Sequence, residues 1–102
     1  MTVYISGPIT GTDDYIERFA AAEERIGANG YTAINPAKES AHKDPQTTTW
    51  EEYMGDALKL LSTADAIYML KGWNQSKGAG IEYWVAIAMG KKVFYEEAND
   101  EM

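Results

Sequence analysis

One carboxylate stands almost alone in the segment Asn74 to Gly90, where a loop of small and polar residues opens into an apolar helical stretch. Glu82 is the only charge that helix carries. On a helix the positions three, four and seven further on share a face, and for Glu82 these are Val85, Ala86 and Met89, so the carboxylate is expected on an inward stripe. Burying it costs several kcal/mol unless it is paired, hydrogen-bonded or held at a helix start, and the spacing puts Glu82 in the first helical turn. Nearby stand Trp73, Asn74, Ser76 and the small residues Gly78 to Gly80. The chain has no cysteine and a single histidine, His42, expected as a solvated side chain. A buried carboxylate so surrounded suits attack on a sugar anomeric carbon, because a nearby anion stabilises the oxocarbenium-like transition state and the glycosyl ester can be resolved by an acceptor. Ser76 and the N–H groups around Gly78 to Gly80 could hold a sugar hydroxyl or a phosphate, Trp73 offers a face on which a nucleobase can stack, and in an enzyme that cleaves a nucleoside Asn74 would hold the base with it.

Composition narrows the classes that need considering. The 102 residues suffice for one domain with a single core, and an apolar fraction of 45% with 25% charged residues marks a globular chain. A formal charge of −7 argues against wrapping a nucleic-acid polymer, which is bound by clustered Lys and Arg. Without cysteine and with one histidine, neither a metal centre nor a cofactor is expected. No apolar run is long enough for a bilayer, and the N-terminus enters a strand-like run without a basic region, so cytoplasm is the expected location and no membrane partner is anticipated. A small molecule is the expected partner.

The elements that must position these groups alternate regularly. Thr2 to Ser6 reads as a strand, followed by a loop from Gly7 through Pro8, Ile9 and Thr10 to Gly11, whose glycines allow a close backbone approach. Asp14 and Glu17 have capping-box spacing ahead of a helical stripe of Ile16, Phe19, Ala20 and Ile26, ended by Asn29-Gly30. Tyr31 to Ile34 is a second strand, and the polar segment Ala37 to Thr48 is expected as a long loop. Thr49 and Glu52 repeat the capping spacing before a stripe of Met54, Ala57, Leu58, Leu61 and Ala64. Ala64 to Leu70 is a third strand and Lys92 to Tyr95 a fourth.

This β-α-β-α-β-α-β order predicts an α/β fold, a small Rossmann- or flavodoxin-like parallel sheet of four strands in the order 2-1-3-4, with helices on both faces. Ligands of such sheets bind beyond the carboxyl ends of the strands where the order reverses, here between the first and third strands. The Gly7 to Gly11 and Gly72 to Gly80 loops and Glu82 are expected to meet there. Asp65 begins the third strand, so it is expected at the opposite end with a structural role.

Tyr4-Ile5-Ser6-Gly7-Pro8-Ile9-Thr10-Gly11, Asn35-Pro36, Trp50 to Met54 and Ala64 to Glu82 together resemble the nucleoside 2-deoxyribosyltransferase-like superfamily, and within it the short DUF4406 branch. The resemblance covers nearly the whole chain, and its most specific part is the Ser76-x-Gly78-x-x-x-Glu82 element. It implies Glu82 as nucleophile, Ser76 as a contact to the sugar or its 5′-phosphate, and Tyr4 with the Gly7 to Gly11 loop lining the sugar. The superfamily includes base-exchanging transferases and hydrolases of deoxynucleoside monophosphates. Its members usually carry an Asp where this chain has Ala57, so Asp56 would take that role by a one-residue shift, a turn of about 100° on a helix. The nucleotide-hydrolysing relatives have Ser and Arg where Pro8 and Thr10 stand, which removes a phosphate clamp.

Two readings follow: an enzyme that cleaves or exchanges the N-glycosidic bond of a nucleoside or nucleotide, and a binding module that sequesters or senses a nucleotide on the same fold. A homodimer or higher homo-oligomer is expected, because Tyr83, Trp84 and Ile87 occupy faces that one small sheet cannot all cover. Residues 1–95 form the expected domain and 96–102 an acidic tail.

Overall fold

The computed structural model describes residues 1–98. Of the anticipated acidic tail, residues 99–102 lie outside the described residues. The strands are β1 (Thr2–Ser6), β2 (Thr32–Ile34), β3 (Ala66–Met69) and β4 (Lys92–Tyr95), joined in one parallel sheet of order β2-β1-β3-β4. The helices are α1 (Tyr15–Ala28), α2 (Pro36–Glu39), α3 (Trp50–Ser62) and α4 (Lys77–Ala88), with a turn of 3₁₀ helix at Trp73–Gln75 ahead of α4.

Alternation along the strands divides the core between two faces. Val3 and Ile5 of β1 and Ala66, Tyr68 and Leu70 on or just after β3 pack with Phe19, Ala22 and Ile26 of α1. Tyr4, Ile67 and Met69 point the other way, against Leu61 of α3 and Ala79 and Ala86 of α4. Period two does this: each strand offers successive side chains to opposite faces, and β3, fully buried, is apolar throughout. Each buried Leu or Ile side chain stabilises the fold by roughly 1.5–3 kcal/mol.

Several local expectations need correction. The buried stripe of α1 is Phe19, Ala22 and Ile26 with Tyr15 packed beside it, whereas Ile16 is 60% exposed. Asp14 precedes α1 but its side chain makes no capping hydrogen bond. Thr49 does cap α3, its hydroxyl oxygen accepting from the Glu52 N–H at 3.1 Å. The anticipated loop after β2 begins with α2, and Asn35 explains why: its Oδ1 accepts from the Ala37 N–H at 3.0 Å while its Nδ2 donates to Glu23 of α1 at 3.0 Å. Four residues are too short a helix to leave a period in sequence. Glu96 is no free tail residue either, since its Oε1 accepts from the Lys71 N–H at 2.7 Å and faces Arg18 at 3.5 Å. Asp65 caps the far end of the sheet, accepting from the Thr2 N–H at 2.8 Å. Among the described residues no helix is long and apolar enough to cross a membrane.

Candidate active site

At the carboxyl ends of β1 and β3 the chain leaves the sheet in opposite directions, and the backbone there is drawn tight. A side chain at Gly7 would come within 2.7 Å of the Leu70 Cβ, so only glycine lets the loop after β1 cross the end of β3. Gly72 adopts φ +87°, the left-handed turn glycine tolerates, and faces Pro8 across the gap. The two loops thus meet over a cavity of about 460 Å³.

Glu82 forms part of its wall. It is 7% exposed, and both carboxylate oxygens are engaged by β1: the Tyr4 hydroxyl donates to Oε2 at 2.6 Å and the Ser6 hydroxyl to Oε1 at 2.5 Å. Tyr4 and Ser6 stand two apart on a strand and so share the face turned to α4. α4 begins at Lys77, so Glu82 is its sixth residue, neither in its first turn nor its only charge; the helix start is too far to hold the carboxylate and the two hydroxyls do so instead. Of its expected stripe, Ala86 is buried but Met89 is 53% exposed, because α4 ends at Ala88 and the chain turns away. Burial pushes the Glu82 carboxyl above its ordinary range, against the downward pull of the Ser6 and Tyr4 hydrogen bonds. Burial, then the Glu82 charge and its hydrogen bond, push the Tyr4 phenol well up, so it remains a donor.

The other walls come from the loop after β1, from α1, from α2 and the segment after it, from α3 and from the start of α4. The sequence expectations place Tyr4, Gly7, Ile9, Thr10, Ser76, Gly78 and Glu82 together, and all seven line the cavity. Pro8 lines an adjoining groove that shares Thr10, Trp50, Ser76 and Gly78 with it and carries Arg18, Lys71 and Lys77. Ser76 also caps α4, its hydroxyl oxygen accepting from the Ala79 N–H at 3.3 Å. Three expected residues stand elsewhere. Trp73 is stacked on Tyr83 at 4.4 Å, packed into the α3/α4 side of the core, because the 3₁₀ turn swings it to the far side of the loop. Asn74 lies on an outer surface with Ile81 and Trp84. Asp56 points outward and forms an ion pair with Lys43, whose hydrogen bond and charge hold the Asp56 carboxyl below its usual range. His42 is exposed and does not line the cavity.

The aromatic wall is instead supplied by Trp50, Tyr53, Met54 and Ala57 of α3, with Tyr15 and Phe19 of α1 and Pro36, Ser40 and Lys43 behind β2. Trp50, Tyr53, Met54 and Ala57 recur at i, i+3, i+4 and i+7, the spacing of one helix face, and this signal is legible in sequence. Ser6 was not among the expected site residues; period two puts it on the face of Tyr4, but its bond to Glu82 is set by the fold.

A family model for a domain of unknown function, DUF4406, matches residues 1–95. The chain belongs to the DUF4406 family. No curated protein matches it. Among solved structures, it resembles a 2-deoxyribosyltransferase from Bacillus psychrosaccharolyticus at a TM-score of 0.72, with 17% identity over 93% of this chain and 71% of that one. It also resembles a 2-desoxiribosyltransferase from Leishmania mexicana at a TM-score of 0.68, with 18% identity over 99% of this chain and 73% of that one. This DUF4406 chain therefore has a 2-deoxyribosyltransferase-like fold.

Proposed function

We propose that this protein cleaves or transfers the N-glycosidic bond of a nucleoside or nucleotide, with Glu82 as nucleophile. The observation that carries the reading is the buried carboxylate at the cavity wall, held by the Tyr4 and Ser6 hydroxyls and aimed into a space lined by aromatic side chains. A carboxylate oxygen forms a bond to C1′ as the bond to the base breaks, and water or a second base then releases the sugar. Tyr4 and Ser6 favour the ionised carboxylate against the opposing effect of burial and fix its direction, since charge-assisted O–H bonds of this length are strong. The fold shared with 2-deoxyribosyltransferases supports the class of substrate.

Within that reading the sugar lies over Glu82 between the Gly7 to Thr10 loop and the α4 start at Ser76 and Gly78. The adjoining groove with Arg18, Lys71 and Lys77 supports a 5′-phosphate at that end, where the loop itself lacks an Arg. The base then lies toward α3, against Trp50 and Tyr53 rather than Trp73 and Asn74. Asp56 acts through Lys43. Trp84, 67% exposed, and Ile87, 44% exposed, leave an apolar strip on the outer face of α4 that we assign to self-association, as a homodimer or higher oligomer; Tyr83 is covered by Trp73. Cytoplasm is the location consistent with this chemistry.

The test is base release from a panel of ribo- and deoxyribonucleosides and their monophosphates, with and without a second free base, beside Glu82→Gln. Turnover that requires Glu82 is expected, and dependence on the second base identifies a transferase. Saturable nucleotide binding without turnover, unchanged in Glu82→Gln, would replace this reading with a sequestering or sensing module.

A further inference from the structure

Among the described residues lining the cavity there is one anion, Glu82, and one cation, Lys43. They do not pair with each other: Glu82 is bonded by Tyr4 and Ser6, and the Lys43 ammonium donates to Asp56. Lys43 comes from the segment between α2 and α3, where its backbone N–H donates to the Ser40 carbonyl at 3.0 Å. Its side chain is 20% exposed while that of Asp56 is 48% exposed, so the ammonium is the inner member of the pair and the carboxylate the outer. An exposed ion pair contributes at most about 1 kcal/mol, little reason to set a cation in an aromatic wall.

The position of Lys43 is specific. The groove with Arg18, Lys71 and Lys77 meets the cavity at Thr10, Trp50, Ser76 and Gly78, whereas Lys43, bonded to Ser40 and to Asp56 beside Ala57, lines the cavity but not the groove, as do Ser40, Tyr53 and Ala57. With the sugar over Glu82 and its 5′ end toward the groove, the base is directed to the Lys43 end. We propose that Lys43, held by Asp56, is a catalytic residue that receives the departing nucleobase. As a Glu82 oxygen bonds to C1′, the C1′–N bond breaks and its electron pair stays on the base nitrogen. The Lys43 ammonium pairs with that developing anion and transfers a proton to it, leaving a neutral base and an amine that takes a proton back from water. The substrate class this favours is a nucleoside whose base is neutral when bound and leaves as an anion. The inference rests on the glycosyl-cleaving reading above.

The test compares Lys43→Met and Lys43→Arg on two substrates: a 2-deoxynucleoside, and 4-nitrophenyl 2-deoxyriboside, whose leaving group needs no proton. Lys43→Met is expected to lower kcat for the nucleoside on the order of a hundredfold more than for the nitrophenyl glycoside, and Lys43→Arg to recover part of that selective loss. Because the comparison is made within each variant, loss of folded protein cancels. Equal losses on both substrates would overturn the proposal. A second arm is independent of turnover: titration with 5-nitrouracil, ionised near neutral pH, and with thymine, neutral there. The natural protein is expected to prefer the ionised base by about tenfold, the size of one extra charge-assisted hydrogen bond, and Lys43→Met to erase that preference. No binding, or a preference that survives Lys43→Met, would overturn it. A preference that depends on Lys43 without any Glu82-dependent turnover would instead remove the glycosyl-cleaving reading and keep Lys43 as a base-anion site.

Discussion

With both oxygens of Glu82 taking hydrogen bonds from β1, the carboxylate sits in a balance that pH can tip. Burial raises its pKa on folding, so between the ordinary carboxylate value and the raised one the folded state binds more protons than the unfolded state. Stability contributed by the protonated form is present at low pH and lost as pH rises through that window. Glu82→Gln removes this dependence. It is expected to abolish base release yet raise the melting temperature at neutral pH by a few degrees, roughly the shift that about 1 kcal/mol gives a domain of this size; an unchanged or lower melting temperature would contradict the balance described. Tyr4→Phe and Ser6→Ala each delete a donor to the ionised form. Their effect is to push the Glu82 pKa further up, so the alkaline-rising limb of a pH–rate profile should move to higher pH in both, with a loss of about 1.5–3 kcal/mol in stabilisation of the carboxylate.

The elements shape the cavity around this residue by two devices, a tight crossing after β1 and a cap on α3. Gly7→Ala would drive a Cβ to 2.7 Å from the Leu70 Cβ, which is fixed to its backbone and cannot retreat without disturbing the end of β3. A loss of roughly 1–3 kcal/mol in denaturant unfolding is expected, together with lost activity. Thr49→Ala should cost about 1 kcal/mol and loosen the first turn of α3, from which Trp50 reaches the cavity. At this scale sequence was informative unevenly. Strand order and the meeting of the two glycine loops with Glu82 followed from alternation of strand and helix, because parallel connection leaves few topologies. The partners of Glu82 did not, since a contact between residues 78 positions apart depends on β1 and α4 being brought together by the sheet. Trp73 misled for a related reason: nearness in sequence to Ser76 suggested a shared site, but a 3₁₀ turn between them sends the indole onto Tyr83. Lys43 gave no signal at all, lying in a segment with no period.

For the whole molecule, charge is distributed against its own average. The chain carries −7, yet Arg18, Lys71 and Lys77 gather at the groove beside the α4 start. At ordinary ionic strength the Debye length is about 8–10 Å, so a phosphate bound there responds to Lys71, Lys77 and Arg18, the last shared with Glu96 at 3.5 Å, more than to acids elsewhere on the chain. High salt is accordingly expected to raise the KM of a nucleoside monophosphate about three- to tenfold while leaving that of the nucleoside nearly constant; parallel behaviour of the two would remove the phosphate from this end. The outer face of α4 offers a separate test. Trp84→Glu with Ile87→Glu should give a monomer by light scattering if that strip joins subunits, and an oligomer of unchanged mass would assign the contact elsewhere.

The bonds from Tyr4 and Ser6 to Glu82 close loops of 78 and 76 residues, nearly the length of the fold. With so much of the chain between them, a half-folded form in which α4 has not docked against β1 cannot hold Glu82 between the two hydroxyls. Pairing so distant in sequence also loads folding with a large chain-closure cost, and the site forms only as the final crossover docks. The candidate site is therefore complete only when β1 and α4 are docked, and under the proposed function a nucleoside bound there would stabilise that strand and that helix together.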